Sequence, residues 1–285
     1  MEGAGSRSKQ DFKSFLDYLS DRHSKPSRRY LFVERGFLMS GHSKWAGIKH
    51  KKAIVDAARG KLFSKLIREI AVAARAGGDL SSNARLRQAV TRAKDCNMPA
   101  DNVRRAIQKG TGELPEVNYE ELTYEGYGPG GVAVLLDIMT DNKNRTIAEV
   151  RHIFSAGGGH SGESGSVAWM FEKKGLITID RAECNEDDLM EIVLEAGAED
   201  LKAEGDAYEI ITAPAEFEEV KEAVRAKGIE FNLGEITMIP KSTVKLDTKV
   251  GRHVLKLVDA LEDHDDVQHV YSNFDIPDEV IEQME

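Results

Sequence analysis

Cations and carboxylates are sorted along this chain rather than mixed. Residues 39–112 carry 16 Lys/Arg against 5 Asp/Glu, a balance of +11, whereas residues 113–285 carry 15 against 39, a balance of −24. The changeover falls at Gly112, and the apolar pattern changes there too, from helical spacing to runs of β-branched residues. A chain divided in this way has to build a basic part and an acidic part with separate cores. Its 285 residues are long enough for two or three. The net charge of −10 conceals the split, which presents a polyanion partner to one end of the molecule.

Several classes are excluded at once. No apolar run approaches the roughly 20 residues that cross a bilayer, so no membrane span is expected. Cys96 and Cys184 form no CxxC pair, which rules out a disulfide scaffold or a cysteine zinc site and suits a reducing cytoplasm. Residues 1–38 read differently from the rest, being Ser/Arg/Lys-rich with one short amphipathic patch at Phe12, Phe15, Leu16 and Leu19. They lack the apolar core of a secretory signal, and their five acids argue against a mitochondrial presequence. Glu34-Arg35-Gly36-Phe37-Leu38 can be encoded as a purine-rich ribosome-binding site ahead of Met39. The expectation is therefore that translation starts at Met39 and that residues 1–38 are a mis-called leader.

From Met39 the chain opens on a cationic arm. His42, Lys44, Lys49, His50, Lys51 and Lys52 surround a single aromatic, Trp45, and the first carboxylate is Asp56. Such a run suits a phosphate backbone with an unstacked base. Three helices are predicted next. Leu62, Phe63, Leu66, Ile67 and Ile70 form the apolar stripe of the first, while Lys61, Lys65, Arg68 and Arg75 share another face. The second starts near Ser82-Asn83, buries Leu86, Ala89, Val90 and Ala93, and displays Arg85, Arg87, Arg92 and Lys94. The third runs from Pro99 to Lys109 with Arg104 and Arg105 exposed, and stops at Gly110. Several phosphate contacts are on offer, but no base-reading set lies on one helix.

Beyond Gly112, elements alternate. Gly131–Thr140 reads as a buried strand, 144–156 as a helix, and 157–165 as a Gly-rich loop. A strand pair is predicted at 166–171 and 175–180. Helices at 187–196, 215–227 and 251–261 then alternate with strands at 207–212, 235–240 and 267–274. The fold class expected is α+β: an N-terminal helical bundle followed by two ferredoxin-like α/β units, one inserted in the other. The basic bundle spans 39–112, the outer unit 113–177 plus 241–285, and the inserted unit 178–240.

Sites resembling known chemistry fare poorly. Gly157-x-Gly159-x-x-Gly162 follows a helix instead of a strand, so it lacks the context of a dinucleotide site. His160, Glu163, Ser164 and Ser166 crowd one short loop, whereas a triad needs groups on different rigid elements. Neither a cofactor nor a metal is expected. Gly158 and Gly159 fit a phosphate-contacting loop better. Asn142, Lys143, Asn144 and Arg145 open a helix, which makes them either a second phosphate site or an ordinary N-cap.

Six stretches carry a resemblance: GHSKWAGIKHKK (41–52), YEGYGPGG (124–131), TDNKNRT (140–146), GESGSVAWMF (162–171), TAPAEFEEV (212–220) and DDVQHVYSNFDI (265–276). They are similar to the YebC/PmpR family, whose mitochondrial member is the translational activator of cytochrome c oxidase. One departure is His160-Ser161, where the family more often has Asn-Leu. The resemblance implies a helical N-terminal domain, two α/β domains and no enzymatic reaction. It implies either a DNA-binding transcriptional regulator or a translation factor that binds the ribosome and relieves stalling. The ribosomal RNA reading is preferred because shape and phosphate recognition is what folded RNA asks for; double-stranded DNA is the alternative.

Overall fold

The computed structural model describes residues 56–115, 118–204 and 207–276. The leader and the arm, including His42, Lys44, Trp45, Lys49, His50, Lys51 and Lys52, lie outside the described residues.

Three helices come first: α1 (Asp56–Ala74), α2 (Ala84–Asp95) and α3 (Ala100–Gly110). Leu66 and Ile70 of α1, with the run Ala71 to Ala74, bury against Leu86, Ala89, Val90 and Ala93 of α2 and Val103, Ala106 and Ile107 of α3. Asn83 ties two helix ends together. Its Oδ1 accepts the Leu86 N–H (3.0 Å) to cap α2, while its Nδ2 donates to the Ala73 and Gly77 carbonyls (2.8 and 2.7 Å) at the end of α1. Asn97 follows α2 with φ of 57°, the left-handed turn-off that Asn tolerates.

Helices α1 and α3 cross at Gly110. A Cβ there would lie 2.1 Å from the Ala71 carbonyl oxygen, so the crossing requires glycine. Gly110→Ala is expected to destabilise the protein by about 1–3 kcal/mol, the usual cost of overpacking. Urea denaturation checks it, and an unchanged midpoint would mean that the helices part without strain.

The outer sheet has the order β3-β1-β2-β9, built from β1 (Glu120–Tyr127), β2 (Ala133–Thr140), β3 (His160–Ser161) and β9 (Val267–Ser272). Helices α4 (Lys143–Ala156) and α7 (Thr248–Glu262) cover one face. The inner sheet has the order β5-β6-β4-β7, from β4 (Phe171–Asp180), β5 (Ala198–Glu204), β6 (Ala207–Thr212) and β7 (Leu233–Pro240). Helices α5 (Glu186–Glu195) and α6 (Phe217–Ala226) pack on it. All neighbours in both sheets are antiparallel. The inner unit follows β-α-β-β-α-β with ferredoxin-like order. The outer unit reaches the same spatial order with its third strand moved to the front as β1. Strands β8 (Val244–Lys245) and β10 (Phe274–Asp275) add a short parallel pair.

The apolar run of β2 has two destinations. Val134, Leu136 and Ile138 enter the core with Val150 and Phe154 of α4 and Val254, Val258 and Leu261 of α7. Ala133 and Leu135 point the other way, onto Val167, Phe171 and Tyr271. Burial on both faces is why the strand does not alternate.

The chain departs from its sequence reading in three places. Residues 168–170 form a 3-10 turn, and one strand, β4, runs unbroken from Phe171 to Asp180. Gly175, which looks like a break, is instead a close approach: a Cβ would lie 2.2 Å from Thr212 Oγ1 and 2.5 Å from Phe217 Cδ2. Residues 171–177, expected in the outer unit, consequently pair with β7 in the inner sheet. Strand β5 was not foreseen, because AEDLKAE at an edge has almost no apolar face to betray it.

Candidate nucleic-acid interface

The cationic face of α1 turns inward, towards the C-terminal end of α7. Lys61 Nζ pairs with Asp263 Oδ1 (2.9 Å) and also reaches its carbonyl (3.3 Å). Lys65 Nζ donates to the Glu262 carbonyl (2.8 Å), and Arg68 donates to the Asp265 carbonyl. Carbonyls at a helix C-terminus lack intrahelical partners and carry partial negative charge, so three cations are well placed there. Arg75 continues the seam, donating to the Tyr119 carbonyl (2.7 Å) and Asn118 Oδ1 (3.1 Å). The exposed Lys61–Asp263 pair adds little by itself. Its neighbours fix how α1 lies on the α/β body.

At the centre of this seam sits Asp266, buried at 3% exposure. Its Oδ2 accepts from Thr146 Oγ1 (2.6 Å), Arg145 (2.7 Å) and Thr140 Oγ1 (3.0 Å), and its Oδ1 faces Arg68 at 3.4 Å. Burial opposes its charge, but the hydrogen bonds from Thr146, Arg145 and Thr140 and the nearby Arg68 prevail, so its pKa is lowered. Arg145 also bonds Asp141 (2.9 Å), so this candidate phosphate ligand is engaged within the chain. Asn142 accepts the Arg145 N–H (3.1 Å) and caps α4, while Lys143 and Asn144 are exposed beside it.

The remaining cations divide. Arg85 makes a two-pronged bond to Glu121 (2.9 and 2.7 Å). Arg92 lies near Glu235 (3.6 Å), Glu69 (3.8 Å) and His269 (3.4 Å). Burial works against the Arg92 charge, and Glu235 and Glu69 more than offset it, raising its pKa. Lys94 is half-buried and also engaged within the chain. Arg87 reaches the Ser81 carbonyl at 3.3 Å but is exposed. Arg104 pairs only with Asp101, one turn away on its own helix, and Arg105 and Lys109 are exposed one turn apart. The open cationic surface of the described module therefore lies on α2 and α3.

The glycines of the 157–165 loop have local reasons. Gly158 takes φ of +77°, and a Cβ on Gly159 would lie 2.4 Å from the Tyr127 carbonyl oxygen, so β3 can hug β1 only without side chains. Glu125, at 6% exposure, escaped the sequence reading. Its carboxylate accepts N–H groups from Gly165 (2.6 Å), Val167 (2.6 Å) and Ala168 (2.9 Å). Burial pushes its pKa up, and the bonds from Val167, Gly165 and Ala168 bring it below the ordinary glutamate value. The only hint was a lone acid between apolar strand positions. Among the described residues no group of His, Cys, Asp and Glu is placed to hold a metal, and no helix is long and apolar enough to cross a membrane.

With this geometry in place, the chain can be compared with known proteins. Residues 43–113 match the family model for the TACO1/YebC protein N-terminal domain, and residues 119–274 match that for the TACO1/YebC second and third domain. The chain belongs to the TACO1/YebC family. Its family N-terminal domain ends where the charge reverses, next to Gly112. A "probable transcriptional regulatory protein" of Desulforapulum autotrophicum is 61% identical over 247 residues, covering 86% of this chain and 100% of the relative. Another so named, from Natranaerobius thermophilus, is 58% identical over 248 residues, 86% of this chain and 99% of its own. Among solved structures, a conserved hypothetical protein from Aquifex aeolicus superposes with a TM-score of 0.73 at 51% identity, covering 82% of this chain and 97% of that one.

Proposed function

We propose that this TACO1/YebC family member is a non-enzymatic, cytoplasmic nucleic-acid-binding regulator of gene expression. In this reading residues 39–112 are the binding module, and the outer and inner α/β units orient it. The favoured target is structured ribosomal RNA, with the protein acting as a translation factor that relieves stalling. The supporting observation is the asymmetry of the basic module. Its α1 face is spent on the acidic body, which leaves Arg87, Arg104, Arg105 and Lys109 of α2 and α3 facing solvent in continuity with the cationic arm. Cations on short helices, with no base-reading set among them, suit phosphate and shape recognition.

A second reading is supported by the relatives' names: a transcriptional regulator using the same surface on double-stranded DNA. Co-sedimentation with ribosomes at moderate salt, set against footprinting on promoter DNA, separates the two. Retention on ribosomes is the expected result; a sequence-specific footprint without retention reverses the ranking. Lys51→Glu with Lys52→Glu, and separately Arg104→Glu with Arg105→Glu, are expected to weaken binding roughly tenfold or more and to flatten its salt dependence. Unchanged affinity in both variants would move the site off this module.

A further inference from the structure

The acidic half of the chain carries one cationic patch that the reading above leaves unused. Between residues 241 and 256 lie Lys241, Lys245, Lys249, Arg252 and Lys256 against the single acid Asp247, a third of the 15 Lys/Arg found in residues 113–285. Lys249, Arg252, His253 and Lys256 fall at i, i+3, i+4 and i+7 of α7, so they share a face, and all four are exposed. Arg252 is also engaged within the chain.

The N-terminal half of α7 abuts the glycine-rich loops. A Cβ on Gly130 would lie 2.9 Å from Leu246 and 3.0 Å from Val250, and one on Gly157 would lie 2.7 Å from Leu257. The contacts then lead on to an exposed aromatic. Gly158 approaches Pro129 (3.7 Å from a built Cβ), and Tyr127 stacks on His160 with ring centres 5.4 Å apart. The Tyr127 hydroxyl and the Trp169 Nε1 both donate to the Ser166 carbonyl, each at 3.0 Å. Lys241 closes the circuit by donating its backbone N–H to the Met170 carbonyl (2.8 Å).

Trp169 is 64% exposed, the most exposed large apolar side chain among the described residues. It is also held in place, because Nε1 is bonded and the loop before it is clamped by the buried Glu125 carboxylate. A tryptophan fixed at its polar edge and open to water is a preorganised stacking platform. We propose that Trp169, His160 and the α7 stripe of Lys249, Arg252 and Lys256 form a second nucleic-acid surface, which takes a run of unpaired RNA. The aromatic stacks on a base and the stripe tracks the phosphates. Helix α7 joins the two surfaces, with the basic module at its C-terminal end and this platform near its N-terminal end. At about 1.5 Å per residue its 15 residues separate them by roughly 20 Å. One large folded RNA with a single-stranded segment nearby would engage both. The inference rests on the nucleic-acid reading above and deepens it.

The chain has two tryptophans, so Trp45→Phe leaves Trp169 as the sole reporter. Titration of that full-length variant with a decaadenylate oligoribonucleotide is expected to quench its emission saturably, with a midpoint that rises with salt. Lys249→Glu with Lys256→Glu is expected to raise the midpoint tenfold or more. By anisotropy of the labelled oligonucleotide, Trp169→Ala should lose about tenfold in affinity and Trp169→Phe most of that less. Absent quenching with ribosome co-sedimentation intact would overturn this surface and leave the proposed function standing. Emission that shifts with ribosomal proteins but not with the oligonucleotide would also overturn it, assigning the face to protein contact. Quenching that persists without ribosome retention would support this surface while removing the ribosomal reading.

Discussion

Asp266→Ala is expected to lower the unfolding free energy by about 3 kcal/mol, the low end for breaking a buried charged network. The low end applies because the partners differ in what they lose. Thr140 and Thr146 are fully buried, but their hydroxyls lie 2.7 Å apart and can still bond each other. Arg145 is half exposed, and water can take over the hydrogen bond it gives up. Arg68 is more enclosed, with 18% of its side chain exposed, and it loses the carboxylate that faces it from the α/β body. The effect should therefore include a looser seat for α1. Protease cleavage at the seam should rise more than global stability predicts.

The pH dependence gives the same prediction a second handle. The folded-state pKa of Asp266 is depressed, so its contribution is fully present above the unfolded-state value of about 3.9 and is lost as pH falls through the folded value. The stability gap between wild type and Asp266→Ala is expected to be flat from pH 7 down to about 4 and to shrink below it. Urea unfolding at pH 7 and pH 3 measures this. An equal gap at both would mean that the side chain acts by packing and not through its charge.

How far the chain could be read in advance depended on whether the deciding partner was near in sequence. Helix caps were legible because Asn83 and Asn142 act within three residues of themselves. The burial of Gly131–Thr140 was legible because a strand covered on both faces has to be apolar throughout. Strand β5 was not, since its place is set by backbone pairing to β6 and its side chains stand at an edge. The α1 cations are the most instructive case. Their spacing puts Lys61, Lys65 and Arg68 on one face, but periodicity cannot say what that face meets. The answer lies about 200 positions away, at residues 262–266. A cation seeking a phosphate and a cation seeking a helix C-terminus look alike in sequence. Glu125 was illegible for the same reason, its three partners lying 40 to 43 residues downstream.

Glu125→Ala is the complementary test, and its expected effect is of similar size but more local. Removing the carboxylate orphans the N–H groups of Gly165, Val167 and Ala168, all bonded at 2.9 Å or less. Hydrogen bonds to an ionised acceptor contribute about 1.5–3 kcal/mol each, but three that share one group are not additive. A loss of about 3 kcal/mol follows if the N–H groups stay buried, and less if the loop swings out to water. Val167 settles which. It is fully buried against Ala133, Leu135 and Phe171, so the loop cannot open without exposing the contact between the outer and inner units. Glu125→Gln should fall between, because its single oxygen can serve Val167 and Ala168 while its amide faces the Gly165 N–H. Amide hydrogen exchange resolves the site: protection at residues 165, 167 and 168 is expected to fall further in Glu125→Ala than protection in β6 or α6. Uniform loss across the chain would show that the carboxylate supports the whole fold and not this loop. Trp169 sits one residue beyond the clamped segment, so the same variant should also broaden its emission, joining the buried acid to the exposed ring it positions.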